Sequence, residues 1–195
     1  MTQREITRDD ILDMDDYVKV RPERKRAIAE LKKNRRVAIG PDATFYFASY
    51  DTMLHQSLEM LYIERGGEAQ IEDDLSAYNP LVPKGRELVA TLMFEIDEPV
   101  RREKFLAALG GVEETVTITV GGETITARPE QDVDRTTAEG KASSIQFLHF
   151  PFTDEQVKKF RDPETAVTLA IGHEEYGHRA DLPDAVREAL AGDFD

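Results

Sequence analysis

The sequence predicts an α+β protein built on a mainly antiparallel sheet, with five to seven helices packed around it. Three observations carry this. TVTITV-GG-ETITA, residues 115–127, alternates apolar and polar positions on both sides of a two-glycine turn, the pattern of a β-hairpin. Helical and strand patterns follow one another without the regular strand–helix–strand order of a parallel sheet. A chain of 195 residues, 40% apolar and 33% charged, has a globular composition and enough length to bury a core. A single domain over 1–195 is expected: a helical segment at about 7–34, a sheet-rich body at about 36–181 and a closing helix at about 183–191.

The elements follow in order. Thr7, with Asp9 and Asp10 behind it, predicts a capped helix over about Arg8–Tyr17. Pro22 suits the first turn of a second helix reaching about Asn34, with Ala27, Ile28 and Leu31 toward the body. Val37–Ile39 and Thr44–Ala48 read as strands around Gly40-Pro41-Asp42. Residues 50–65 form the clearest helix, ended by Gly66-Gly67. Tyr50, Met53, Leu54, Leu58 and Leu61 share its apolar face, so Thr52, His55, Gln56 and Glu59 are expected on a solvated face. Glu64 turns toward the apolar side and calls for a basic partner.

A helix is expected over 68–78, a buried strand over 86–96 and a helix from Pro99 to Leu109. Residues 129–143 read as a mobile polar loop. Strands follow at 144–150 and 166–171, separated by a helix that Thr153 caps. IGHEEYGH, residues 171–178, reads as a hairpin-like turn at Gly177, and Pro183 opens the last helix.

Charge and composition exclude several function classes. The net charge of −14 opposes binding to nucleic acid or to an anionic membrane. No apolar run approaches the roughly 20 residues of a membrane helix, and the first residues lack the apolar core of a signal peptide, so a cytoplasmic protein is expected. The absence of cysteine removes disulfides, thiol nucleophiles and thiolate-held metals. No phosphate-binding glycine loop and no serine-hydrolase elbow occurs. Residues 19–36 carry nine Lys/Arg against two Glu, a net of +7 within an acidic chain. Lys32, Lys33, Arg35 and Arg36, with the polar helix residues His55, Gln56 and Glu59, are therefore the candidate partner-binding residues.

The candidate metal or acid–base residues are His149, His173 and His178 with Glu174 or Glu175. If the strands carrying His149 and His173 ran parallel in one sheet, both imidazoles would lie at its carboxyl end, and His178 could return across the turn. The alternative is that these histidines cap strand ends and bond backbone carbonyls. No catalytic residue and no cofactor-binding residue is assigned; a divalent metal enters only with the histidine cluster.

LKKNRRVAIGPDATFYFASYDTM, QSLEMLYIE, YNPLVPKGRELVATLMFEI, ASSIQFLHF and LPDAVREALAGDF together resemble, in order and over nearly the whole chain, a bacterial family known only as a domain of unknown function. The resemblance implies stand-alone proteins encoded near rubrerythrin and iron–sulfur oxidoreductases. It suggests an accessory role in peroxide defence or electron transfer, with no activity to transfer. Many members carry an acidic residue, Asn and Arg before the central helix, where this chain has Ala48-Ser49-Tyr50. The functional expectation is a non-catalytic accessory protein that binds a partner of a redox system. The alternative is a small metal-dependent enzyme or metal carrier using His and carboxylate ligands.

Overall fold

The computed structural model describes residues 3–131 and 136–195. Two antiparallel sheets face each other across the main core. The first has five strands in the order β1 (Arg36–Ile39), β2 (Ala43–Phe47), β3 (Glu87–Phe94), β7 (Ile145–Pro151) and β6 (Arg128–Pro129). The second has the order β5 (Glu123–Thr126), β4 (Val116–Val120), β8 (Val167–His173) and β9 (Tyr176–Asp181). Together with six α-helices among the described residues, this is the α+β class that the sequence predicts.

Alternation explains the layering. Phe45, Leu92, Leu148, Ile118 and Leu169 are fully buried, and each occupies the inward register of its strand. At roughly 1.5–3 kcal/mol per buried aliphatic or aromatic side chain, this inter-sheet layer is the dominant stabilising element. The Gly121-Gly122 turn has positive φ at both residues, 55° and 85°, as a tight two-residue hairpin requires. α5 (Asp154–Arg161), capped by Thr153, carries the chain from one sheet to the other. Phe152, Phe160 and Phe194 pack ring against ring beside α6 (Asp184–Ala191).

The helical segment differs from expectation. Thr7 closes only one 3-10 turn, Arg8–Asp10, its amide and hydroxyl both donating to Asp10 Oδ2. The helix proper, α1, runs from Met14 to Lys33 with Pro22 inside it, where two helices were expected. Proline removes one backbone donor, so the Val18 carbonyl four residues earlier loses its helical partner. Pro22 and Val18 are both exposed, and water can bond that carbonyl. Ile28 is buried and Leu31 half-buried as expected, but Ala27 is exposed.

α2 (Tyr50–Glu64) lies between α1 and α3 (Gly67–Tyr78) and shares a second core with them, built on Tyr17, Leu54, Leu58 and Ile71. Ser49 caps α2 by accepting from the Thr52 amide, a role for the position where the resemblance departs. Glu64, expected against the apolar face, is exposed and accepts a bond from Gln70, because the chain turns away at Arg65. α4 (Pro99–Ala107) follows β3, with Glu98 capping it. Of the polar loop expected over 129–143, residues 132–135 lie outside the described residues. Among the described residues no helix is long and apolar enough to cross a membrane.

Candidate functional site

The polar side of α2 is covered, not solvated. Tyr17, Arg21, Arg24, Ile28 and Leu31 recur at four- and three-residue steps along α1, and Thr52, His55, Glu59 and Tyr62 recur likewise along α2. Such spacing lines one face of each helix, and the two faces meet with the helices antiparallel. Near the start of α1, the Tyr17 ring stands edge-on to Tyr62 at 6.3 Å and the Arg21 guanidinium lies 4.3 Å from the centre of that ring. Beyond the other end, Arg35 donates to the Ala48 carbonyl just before α2.

Glu59 is the hub of this seam. Its Oε1 accepts from the Tyr17 hydroxyl at 2.6 Å and from Arg21 Nε at 2.7 Å, and its Oε2 accepts from Arg21 Nη2 at 2.9 Å. The hydrogen bonds from Arg21, reinforced by Tyr17, hold the Glu59 carboxyl down at about 2. Burial and the bond to Glu59 push the Tyr17 hydroxyl up. His55 is 8% exposed, and burial lowers its pKa, with Lys32, Arg24 and Lys25 adding to the effect against Glu59. Thus His55 and Glu59, expected on an open docking face, serve the α1–α2 seam instead. Gln56 lies at its border, half-buried.

The basic segment divides. Lys32, Lys33 and Arg36 are exposed as expected. Arg35 is not: it is 6% exposed, forms an ion pair with Asp193 and donates to the carbonyls of Phe47 and Ala48. Its position after the helix turns its side chain into the body, so it offers nothing to a partner. Lys33 pairs with Glu30, whereas Lys25, Arg26, Lys32 and Arg36 form no ion pair among the described residues.

The histidines do not converge. His149 sits on β7 in the five-stranded sheet and His173 ends β8 in the four-stranded sheet. His149 alternates with the buried Leu148 and Phe150, hence faces away from the inter-sheet core, while His173 continues the inward register of Leu169 and Ile171. His173 donates from Nε2 to the Gly110 carbonyl at 3.1 Å, and its Nδ1 accepts from the Glu175 amide at 3.2 Å. That is the strand-capping role. The β8–β9 turn is Glu174-Glu175 rather than Gly177, since His173 pairs with Tyr176 and Gly172 with Gly177. Glu174 is exposed, and His178 packs its exposed ring on Tyr176 at 4.4 Å. Among the described residues no three His, Asp or Glu are grouped so as to hold a metal ion.

Two groupings escaped the sequence reading: the Arg35–Asp193 pair and the contacts of His149 with Glu87 and Glu130. Both join residues far apart in the chain. The α1 seam did leave a signal, the 17-21-24-28-31 spacing, which the expected helix break at Pro22 concealed.

Comparison with known proteins places these features. The family model described as "Protein of unknown function (DUF3501)" matches residues 5–194. The chain belongs to the DUF3501 family. A crystal structure of a novel protein of unknown function from Burkholderia pseudomallei K96243 is similar to this DUF3501 chain over 100% of both chains, with 34% identity and a TM-score of 0.90. No curated protein matches. The resemblance read from the sequence and the family match therefore agree on a bacterial family of unknown function.

Proposed function

We propose that this DUF3501 protein is a non-catalytic accessory protein of the cytoplasm that docks an acidic protein partner on α1. The observation that carries the reading is the exposure of that helix. Over 20 residues it buries only Tyr17 and Ile28, and it presents Lys25, Arg26 and Lys32, followed by Arg36, without ion-pair partners among the described residues. A chain of net charge −14 that concentrates unpaired cations on one helix has a surface complementary to acidic groups. The seam beneath supports the same role: Glu59, Arg21 and Tyr17 fix α1 on α2, so the cations sit on a rigid support. The resemblance to chains encoded near rubrerythrin makes an acidic rubrerythrin-type redox protein the first partner to test.

The test uses the purified chain, a purified rubrerythrin and an iron–sulfur oxidoreductase from the same organism, with calorimetry across a salt series. Binding that weakens with salt and is lost on Lys25→Glu/Arg26→Glu/Lys32→Glu/Arg36→Glu supports the reading. Failure to bind either protein, or binding that the reversal leaves unchanged, refutes it.

A further inference from the structure

The His149 ring lies between carboxylates carried by two different elements. Nδ1 is 2.9 Å from Glu87 Oε2 on β3, and Nε2 is 2.5 Å from Glu130 Oε1 just beyond β6. All three side chains are mostly buried, at 18%, 16% and 22% exposure. The two carboxylates meet opposite ring nitrogens, so the three groups share no point at which an ion could sit. They suit a proton instead. A neutral imidazole has one N–H and can satisfy one carboxylate; with both glutamates ionised, the two contacts together require the doubly protonated ring.

The two sides of this clamp are unequal. Glu87 belongs to β3, which is paired on both sides by β2 and β7, and its second oxygen accepts from the Lys84 amide at 3.3 Å. Glu130 follows a strand of only two residues, Arg128 and Pro129, at the edge of the sheet. Arg128 and Pro129 stand opposite His149 and Leu148 in that short ladder, and beyond it the Glu130 amide donates to the Phe147 carbonyl at 2.9 Å.

We infer that His149 is a proton-operated latch: the imidazolium clamps Glu130, and with it β6, to the edge of β7, and loss of the ring proton releases β6. Among the described residues the charged groups facing the ring are few. Glu87 faces it from β3, Glu130 from beyond β6, and Arg128 stands directly across the ladder from His149. Lys84 reaches the cluster through its backbone alone, its ammonium being held by the carbonyls of Arg4 and Asn79. Ala48, Leu81 and Met53, which pack with Val89 and Phe147 on this side of the sheet, carry no charge.

Burial disfavours the charged ring, but the bonds to Glu87 and Glu130 outweigh it, and the His149 pKa stands above its ordinary 6.5. The latch is therefore closed below that value and opens as pH rises through the raised one. Glu130 is the side that lets go, because a neutral ring keeps its single N–H for the carboxylate on the firmer strand. An opened β6 bares the edge of β7, a template on which another strand can pair.

Imidazole nitrogen NMR on the intact chain, with amide hydrogen exchange across the same pH series, tests the latch. Both nitrogens of His149 should be protonated at pH 6, with one titration above the ordinary histidine value. Protection of the Glu130 amide, corrected for intrinsic exchange and referenced to amides of β2 and β3, should fall about tenfold or more through that titration, as loss of a charge-assisted bond implies. In Glu130→Gln the protection should start low and no longer follow the ring. A His149 that titrates at or below its ordinary value overturns the inference. So does a high titration with unchanged protection at Glu130, or a pH dependence that persists in Glu130→Gln.

Discussion

Replacing Asp193 by asparagine keeps the side chain's shape and removes its charge, isolating the counter-ion role of the most buried ion pair described. Arg35 and Asp193 are 6% and 9% exposed at their side chains. In the variant the Arg35 guanidinium keeps its bonds to Phe47 O at 3.1 Å and Ala48 O at 2.8 Å but loses the one carboxylate it meets among the described residues. Stranding a buried charge costs about 3–5 kcal/mol, and relief of the buried Asp193 carboxylate, which burial disfavours even beside Arg35, returns part of it, so the cost at pH 7 falls at or below the lower end of that range. Arg35→Met strands the other partner, but Asp193 can escape by taking a proton. Burial already pushes the Asp193 carboxyl up, with Arg35 opposing that shift. Without Arg35 it moves further up. A folded-state pKa raised above the unfolded value gives stability that is present below about pH 4 and lost as pH rises through the folded pKa, at about 1.4 kcal/mol per pH unit at most. Arg35→Met should thus approach the parent in acid and fall behind it toward neutrality, whereas Asp193→Asn carries no such dependence at this site. Arg35→Met/Asp193→Asn removes both charges and should cost less than the two single changes combined, by about 2 kcal/mol or more. Urea unfolding of the four chains at pH 4.5 and 7 reads all of this. A cost below about 1 kcal/mol for Asp193→Asn at pH 7, or strict additivity in the double variant, refutes the reasoning.

Two further outcomes follow from single sites. Glu59→Gln should cost roughly 1–3 kcal/mol at neutral pH, because the Glu59 carboxylate accepts three bonds from Tyr17 and Arg21. The parent carboxyl is depressed from 4.5 to about 2, so its contribution is present above about pH 4.5 and lost as pH falls toward 2. Acid titrations of stability should therefore show a limb in the parent that the variant lacks, and identical limbs would place the acid response elsewhere. Gly40→Ala should destabilise by about 1–3 kcal/mol, because a residue at φ +67° must place its Cβ 2.6 Å from Tyr176 Oη and 2.7 Å from the His178 ring. An unchanged urea midpoint would show that the turn and both rings yield freely.

Local chemistry was legible in the sequence. The β4–β5 hairpin, the α2 helix, the Thr153 cap and the basic run beside an acidic body each depend on residues only a few positions apart. So did the class of fold, because strand alternation and turn chemistry are local. What the tertiary structure decided depends on which element covers a given face. Periodicity places His55 and Glu59 on one side of α2 but does not reveal that α1 lies over them, linking Glu59 to Arg21 across 38 positions. Arg35 looks like its exposed neighbours until Asp193, 158 positions away, meets it in the interior. Pro22 reads as a helix start because its ring and missing donor act on its own turn, yet the seam from Tyr17 to Leu31 holds the helix through it. The histidines of β7 and β8 share an alternation pattern, and only strand order sends one to an outer sheet face beside Glu87 and Glu130 and the other inward to Gly110. A side chain's face is set by the few bonds around it. Its burial, its partner and hence its charge are set by distant chain segments that only the folded packing brings to it.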